Sequence, residues 1–184
     1  MELSPTANVI LGLLSLGPKS GYEIKAFVDN TVRFFWAASY GQIYPELRRL
    51  ADAGLIEGEA RPAGGRRRTV YGLTADGRRH LSGWLAVDPE VFELRDEGLL
   101  KLFFADATGG ASAIETLAAK RRHHLEIVEI LRAIEPHAAS GPERFPLVVC
   151  RYGIECNQWM ADWCQRMAEE LSASEEAEPK RRTA

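Results

Sequence analysis

The chain has 184 residues, of which 46% are hydrophobic and 27% are charged, and its formal net charge is −3. This composition is typical of a folded globular protein and excludes a chain that is mostly disordered. No apolar run reaches the roughly 20 residues that cross a membrane, and the first residues lack the basic segment of a secretion signal, so we expect a cytoplasmic protein.

The charge is distributed unevenly between the two halves of the chain. Residues 1–85 carry 11 Lys and Arg against 8 Asp and Glu, a net +3. Residues 86–184 carry 12 against 18, a net −6, and the two halves sum to −3. Contact with a polyanion is therefore predicted for the first half.

Two helices are predicted at the start of the chain. The first begins at Ser4–Pro5, where a hydroxyl can cap the helix and proline suits its first turn, and it ends at Gly17–Pro18. The second begins at Ser20 and Glu23, which form an S-x-x-E capping box.

A third helix is predicted to begin at Ser39, with a further capping box to Gln42, and to end at Gly54. Its apolar residues recur at helical spacing and leave the other faces to polar, basic and aromatic side chains. The predicted inward residues are Ile43, Leu47 and Leu50.

A β-hairpin and a fourth helix follow. The strands are expected at Leu55–Ile56 and Thr69–Leu73, around a turn at residues 62–65, and Thr74 is expected to cap the helix. The arginines Arg66–Arg68 lie at the hairpin tip. A basic amphipathic helix beside a basic hairpin is the arrangement that binds DNA in winged helix-turn-helix proteins.

The side chains expected at a DNA duplex follow from that arrangement. The early residues of a recognition helix face base edges in the major groove, where glutamine can bridge N6 and N7 of adenine. Arginines farther along the helix and on the hairpin suit phosphates. The predicted DNA-binding residues are Ser39, Tyr40, Gln42, Tyr44, Arg48, Arg49, Arg66, Arg67 and Arg68.

The remainder of the chain predicts helices at residues 90–105, 112–134 and 145–171. The middle helix has a third S-x-x-E box at Ser112 and is expected to end before Pro136. Its apolar residues take near-heptad steps, which indicates a partner helix from this chain or from a second copy. We therefore predict a mostly α, α+β winged-helix protein. Its parts are a DNA-binding domain at 1–87, an all-helical dimerisation and effector domain at 88–172, and a disordered tail at 173–184.

Residues 1–85 resemble the PadR family of winged-helix transcriptional regulators, and the similarity extends more weakly into the last third. The core of the resemblance is the pattern G-x-I-Y-P-x-L-x-x-L. The motifs that carry it are Ser20–Ile24, Tyr40–Leu50, Ala53–Ile56, Arg67–Thr74 and Arg95–Ala105. The resemblance implies a homodimer whose long C-terminal helices embrace the other subunit and its first helix. It also implies a near-palindromic operator, and repression relieved by a small aromatic or cationic amphipathic effector.

Aromatic residues on the last helix offer a place for such an effector. Trp159 and Trp163 are four residues apart, with Tyr152 and Met160 nearby. Stacked aromatic rings can hold a planar or cationic ligand, and they are also common in dimer interfaces. Both interpretations stay open at this stage.

No metal or cofactor is expected. The cysteines Cys150, Cys156 and Cys164 are separated by 6 and 8 residues, unlike the spacing of zinc sites, and reduced helical thiols are predicted. His123–His124 and His137 are expected to face solvent. The chain has no phosphate-binding glycine loop or nucleophile elbow, so we do not expect an enzyme. The alternative function is a winged-helix protein-interaction module that does not bind DNA.

Overall fold

The computed structural model describes residues 3–32, 43–63, 66–89, 95–108, 110 and 112–177. The chain divides into two compact units, Met1–Val91 and Phe92–Ala184. The predicted fold class is confirmed: the protein is mostly helical with one small antiparallel sheet.

The first unit contains four helices and three strands in the described part. In chain order they are α1 (Pro5–Ser15), β1 (Lys19–Ser20), α2 (Gly21–Asn30), α3 (Ile43–Asp52), β2 (Ile56–Ala63), β3 (Arg66–Leu73) and α4 (Ala75–Leu85). The sheet has the order β1-β3-β2, and both pairings are antiparallel. The core of the first unit is formed by apolar side chains of α1, α2 and α3. Ile56 at the start of β2 and Leu73 at the end of β3 complete it on the side of the sheet.

Hydroxyl caps begin three of these helices, as predicted. The Ser4 hydroxyl accepts the Ala7 N–H at 3.1 Å, and the Thr74 hydroxyl accepts the Gly77 N–H at 3.1 Å. Ser20 and Glu23 form the complete capping box. Each cap satisfies backbone N–H groups that have no partner within the helix, which fixes where the helix starts.

The end of α3 is joined to the strands and to α4. Gly54 has φ of +70°, the left-handed conformation that glycine adopts at the end of a helix. The Leu55 N–H donates to the Leu50 carbonyl at 3.0 Å, and the Thr74 hydroxyl donates to the Gly54 carbonyl at 2.8 Å. The recognition helix predicted from sequence is thereby held at a fixed place relative to the hairpin.

Within the described residues, the second unit contains three helices and a short 3₁₀ turn. They are α5 (Glu97–Phe103), the 3₁₀ turn (Ala105–Thr108), α6 (Ala113–Ser140) and α7 (Phe145–Ala177). Helices α6 and α7 pack antiparallel, because Leu131 contacts Cys150 while His124 contacts Asn157. The buried side chains between them include Leu117, Val128, Leu131, Ala161 and Cys164.

Three helix boundaries and one helix cap in this unit differ from the prediction. Helix α5 begins at Glu97 rather than at residue 90, because the Asp96 carboxylate accepts the Leu99 N–H at 3.0 Å and caps it there. Residues 90–94 lie outside the described residues. The Ser112 side chain makes no cap hydrogen bond, since its backbone is already helical.

Helix α6 also continues through Pro136 to Ser140, although proline was expected to end it. Proline lacks an N–H and usually kinks a helix. Contacts with α7 persist here, including the Arg151–Glu135 ion pair at 3.0 Å.

Helix α7 extends beyond the predicted end at residue 171 to Ala177, because alanine and glutamate in that segment favour helix. The disordered tail predicted at 173–184 is therefore wrong for residues 173–177, and 178–184 lie outside the described residues.

The described part of the chain has no helix long and apolar enough to cross a membrane. The three cysteines are free thiols on α7, in agreement with the prediction. Burial raises the pKa of the thiols of Cys150 and Cys164, which keeps them protonated.

Candidate nucleic-acid interface

Helix α3 separates its side chains as the periodicity predicts. Ile43, Leu47 and Leu50 are buried in the core of the first unit. Tyr44, Arg48 and Arg49 are exposed on the other side of the helix. The predicted base-reading residues Ser39, Tyr40 and Gln42 lie outside the described residues.

Tyr44 packs against the start of α2. A Cβ atom at Gly21 would lie 2.7 Å from Cε1 of the Tyr44 ring, which is closer than two carbon atoms can approach. Glycine at this position therefore lets the ring rest on the α2 backbone. Tyr44 nevertheless stays 51% exposed, so part of the ring is free for a ligand.

Arg68 extends from β3 towards α2. Its guanidinium lies 3.5 Å from the carboxylate of Glu23. The backbone N–H and the hydroxyl of Ser20 both donate to Glu23 at 2.7 Å, and these bonds, with Arg68, hold the pKa of that carboxyl below its ordinary value. The capping box of α2 thus also contacts the hairpin at Arg68, three residue pairs from its turn.

Strand pairing gives the positions of the other hairpin arginines. Arg66 pairs with Ala63 and Arg67 pairs with Pro62, at the end of the hairpin next to the turn. The strands are longer than predicted and include residues expected in the turn. The structure thereby places the backbones of all three predicted arginines on one strand.

Arg61 is a further hairpin arginine that the sequence analysis missed. It lies on β2 directly opposite Arg68, and its guanidinium forms an ion pair with Glu59 at 2.8 Å. Only the register between the strands brings it beside the arginine run. The sequence signal that could have placed Arg61 beside the arginine run is its position immediately before Pro62, on the other side of the turn.

The residues predicted to bind an effector lie on α7. Tyr152, Trp159 and Met160 are exposed, and Trp163 is half-buried. The neighbouring Cys156 thiol raises the pKa of Tyr152. These side chains follow one side of the helix.

A separate groove of about 530 Å³ lies between α6 and α7. Leu117 and Arg121 line one wall, and Cys164 and Ala168 line the other. None of the four predicted effector residues is among its lining residues. The structure therefore does not bring those four residues together around this groove.

His124 differs from its prediction as a solvent-facing residue. It is half-buried between α6 and α7, and its Nδ1 lies 2.8 Å from the Asn157 side-chain oxygen. Burial lowers the pKa of His124, although the contact with Asn157 opposes that change. Among the described residues, no group of three or more His, Cys, Asp or Glu side chains could hold a metal ion.

The arrangement of α3 beside a three-stranded sheet with an arginine-bearing hairpin defines a winged-helix protein. Residues 10–83 match the model of the transcriptional regulator PadR-like family. Residues 94–172 match the model described as virulence activator alpha C-term. The first unit is therefore similar to PadR-like transcriptional regulators over residues 10–83.

Relatives of known identity agree with this assignment. The chain is 29% identical over 166 residues to the negative transcriptional regulator PadR of Bacillus subtilis strain 168, covering 85% of this chain and 91% of the relative. The crystal structure of Bacillus subtilis PadR in complex with operator DNA matches with a TM-score of 0.83 and 26% identity, over 92% of this chain and 99% of that one. The structure of the same regulator in complex with p-coumaric acid shares the fold, with a TM-score of 0.75 and 24% identity over 93% and 99% of the two chains.

Proposed function

We propose that this protein is a sequence-specific DNA-binding repressor that acts as a homodimer and is released from its operator by a small aromatic or amphipathic effector. The observation that carries the proposal is the exposed side of α3, where Tyr44, Arg48 and Arg49 accompany the arginine-bearing hairpin. The operator complex of Bacillus subtilis PadR supports the same use of this fold. We propose the cytoplasm as its place of action, because the relatives that it resembles are DNA-binding regulators of bacteria.

Each part of the interface has a distinct role in this proposal. The start of α3 with Tyr44 enters the major groove and reads base edges, together with Ser39, Tyr40 and Gln42, which precede the helix in the sequence. Arginines on α3 and on the hairpin contact phosphates and set the orientation of the protein on the duplex. They are Arg48, Arg49, Arg61, Arg66, Arg67 and Arg68.

The homodimer is supported by an apolar stripe along α7. Helix α7 buries one side against α6, exposes polar residues on another, and exposes large apolar side chains on a third. A continuous exposed apolar surface of this kind usually marks a protein interface. The exposed stripe consists of Phe145, Val148, Val149, Tyr152, Trp159 and Met160.

A dimer of this kind presents two copies of α3 to a near-palindromic site, with half-sites about one helical turn apart. An aromatic effector held by Trp159, Trp163, Tyr152 and Met160 would change how the subunits pack and so the spacing of the two helices. A coupling of about 1–3 kcal/mol is enough to change DNA affinity 5- to 150-fold. The p-coumaric acid complex of Bacillus subtilis PadR supports an aromatic acid as the first ligand class to test.

The DNA-binding test begins with footprinting on the DNA upstream of the protein's own gene. Affinity for the protected duplex should fall roughly 10³- to 10⁵-fold between about 50 and 200 mM salt if about 6–10 phosphates are contacted. The Arg66→Gln/Arg67→Gln variant should bind more weakly and show a shallower salt dependence. The control is Arg78→Gln/Arg79→Gln, which removes the same charge from exposed positions on α4 and should retain the wild-type salt dependence.

A salt-independent affinity, or equal losses in the two variants, would contradict the proposed role of the hairpin. Failure of the wild-type protein to bind any duplex in dilute buffer would favour the alternative, a winged-helix protein-interaction module.

The effector is tested by tryptophan fluorescence during titration with phenolic acids and with cationic aromatic compounds. Binding at the proposed residues should change the emission of the wild-type protein and weaken operator binding. The Trp159→Phe/Trp163→Phe variant, which keeps Trp36 and Trp84, should lose the spectral response. An unchanged spectrum together with an unchanged operator affinity would contradict this part of the proposal.

A further inference from the structure

Helix α3 contains a charged side chain on its buried side. Glu46 is only 9% exposed and lies among the apolar residues that face the core, including Ile43, Leu47 and Leu50. Transfer of a carboxylate out of water is strongly unfavourable unless hydrogen bonds or opposite charges compensate it. The partners of Glu46 therefore indicate what it does.

One carboxylate oxygen of Glu46 connects two parts of the molecule. The Ser4 hydroxyl donates to Oε1 at 3.0 Å, and the same hydroxyl accepts the Ala7 N–H to cap α1. The Arg49 guanidinium lies 3.5 Å from the same oxygen. Glu46 thus joins the first turn of α1 to an arginine of α3.

Ser4, the partner of Glu46 at the start of α1, is held in a rigid part of the structure. Ala7, Ile10 and Leu11 are almost completely buried, so the start of α1 is fixed in the core of the first unit. A carboxylate attached to this point has little freedom to move. It fixes α3 against α1 by a directional polar contact.

The contact with Glu46 restricts the Arg49 side chain but leaves the solvent-facing side of its guanidinium accessible. Arg49 remains 48% exposed while one of its nitrogens faces Glu46. A free arginine side chain loses rotamer freedom when it is immobilised. Holding it before binding reduces that loss, which is the usual way in which preorganisation raises affinity.

We propose that Glu46 is a positioning residue for DNA binding: anchored on Ser4, it holds Arg49 in the orientation that contacts a DNA phosphate. This inference rests on the proposed DNA-binding function. The predicted effect of the Glu46 charge on DNA affinity is the opposite of what repulsion alone would give. By repulsion, a negative charge near DNA should weaken binding. Removal of the Glu46 charge should instead weaken binding, because Arg49 is released.

The test uses the full chain and two labelled duplexes, the footprinted sequence upstream of its own gene and a scrambled duplex of equal composition. Glu46→Gln keeps the size of the side chain and an acceptor for Ser4, but it loses the charge that holds Arg49. Its affinity for the footprinted duplex should fall by about 2- to 5-fold, the range expected for one exposed ion pair. The control Asp52→Asn removes one negative charge from an exposed position at the end of the same helix, and it should bind equally well or more tightly.

A double-mutant cycle separates positioning from a general effect on folding. In an Arg49→Gln background, Glu46→Gln should cause no further loss of affinity, because the residue through which it acts is already absent. The salt dependence of both single variants should be shallower than that of the wild-type protein by a similar amount.

The inference is overturned if Glu46→Gln binds as tightly as the wild-type protein, or if it loses the same factor in the Arg49→Gln background. The second result would show a structural role only. If the wild-type protein binds neither duplex, the proposed function itself fails, and the inference falls with it.

Discussion

Gly77 and Gly83 lie on the same helix, α4, in opposite environments. A Cβ atom at Gly77 would lie 2.1 Å from the Leu55 carbonyl oxygen, whereas a Cβ atom at Gly83 would meet nothing within 4 Å. Gly77→Ala should lower the free energy of unfolding by about 1–3 kcal/mol, because helix or strand must move to admit the methyl group. Gly83→Ala should raise it by about 0.4–1 kcal/mol, because alanine restricts the unfolded chain. Urea unfolding of both variants measures the contrast, and effects of the same sign would contradict the observed packing.

The half-buried position of His124 makes the stability of the protein depend on pH. Burial lowers its pKa below the ordinary 6.5, so between the folded pKa and 6.5 the unfolded chain binds more protons than the folded one. Stability therefore falls as the pH falls below 6.5. Asn157 contacts His124, and the charges of Lys120, His123 and Asp96 also act on it.

His124→Gln should reduce this loss of stability, and His123→Gln, at an exposed position beside it, should preserve it. The measurement is the free energy of unfolding at pH values between about 5 and 8. Identical pH profiles for the wild-type protein and His124→Gln would show that the folded environment does not favour the neutral imidazole.

At the level of the helices, the same S-x-x-E motif at Ser20 and at Ser112 gives two different structures. Both begin an S-x-x-E pattern, but only Ser20 forms the hydrogen bonds of a capping box. Ser20→Ala should lower the free energy of unfolding by about 0.5–2 kcal/mol, and Ser112→Ala should have little effect. Thermal unfolding of the two variants makes the comparison, and equal losses would mean that Ser112 caps α6 in solution.

Local signals explain which elements could be predicted from sequence. The caps at Ser4, Ser20 and Thr74 and the glycine at Gly54 act within a few residues, so α1, α2, the end of α3 and the start of α4 were predicted correctly. The exposure of Tyr44, Arg48 and Arg49 followed from helical periodicity alone.

The remaining features depend on contacts between distant residues. Strand β1 has two residues and exists because Lys19 and Ser20 pair with β3. The place of Arg61 depends on the hairpin register, and the continuation of α6 past Pro136 accompanies its packing on α7. Glu46 was not identified because its partner Ser4 is 42 positions away. The assignment of DNA-binding and effector residues stays a prediction.

At the level of the whole molecule, the exposed apolar stripe on α7 predicts that the protein associates into a dimer. Trp159→Glu places a charge among exposed apolar side chains, and it should shift the protein from dimer towards monomer in sedimentation experiments. Gln165→Glu adds the same charge to the exposed polar side of α7 and should leave the dimer intact. A wild-type protein that sediments as a monomer at all concentrations would contradict the proposed interface.

The two ion pairs of the hairpin have a consequence for selectivity among polyanions. Glu23 lies beside Arg68, and Glu59 lies beside Arg61, so a competing anion meets a carboxylate next to each cation and gains less from it than from an unpaired arginine. Sparse or flexible negative charges, such as those of an acidic peptide, offer little advantage over the resident carboxylates. A duplex supplies closely spaced phosphates and releases condensed counterions, and this gain can offset the exchange. The hairpin is therefore expected to reject weakly charged surfaces that a fully unpaired arginine cluster would retain.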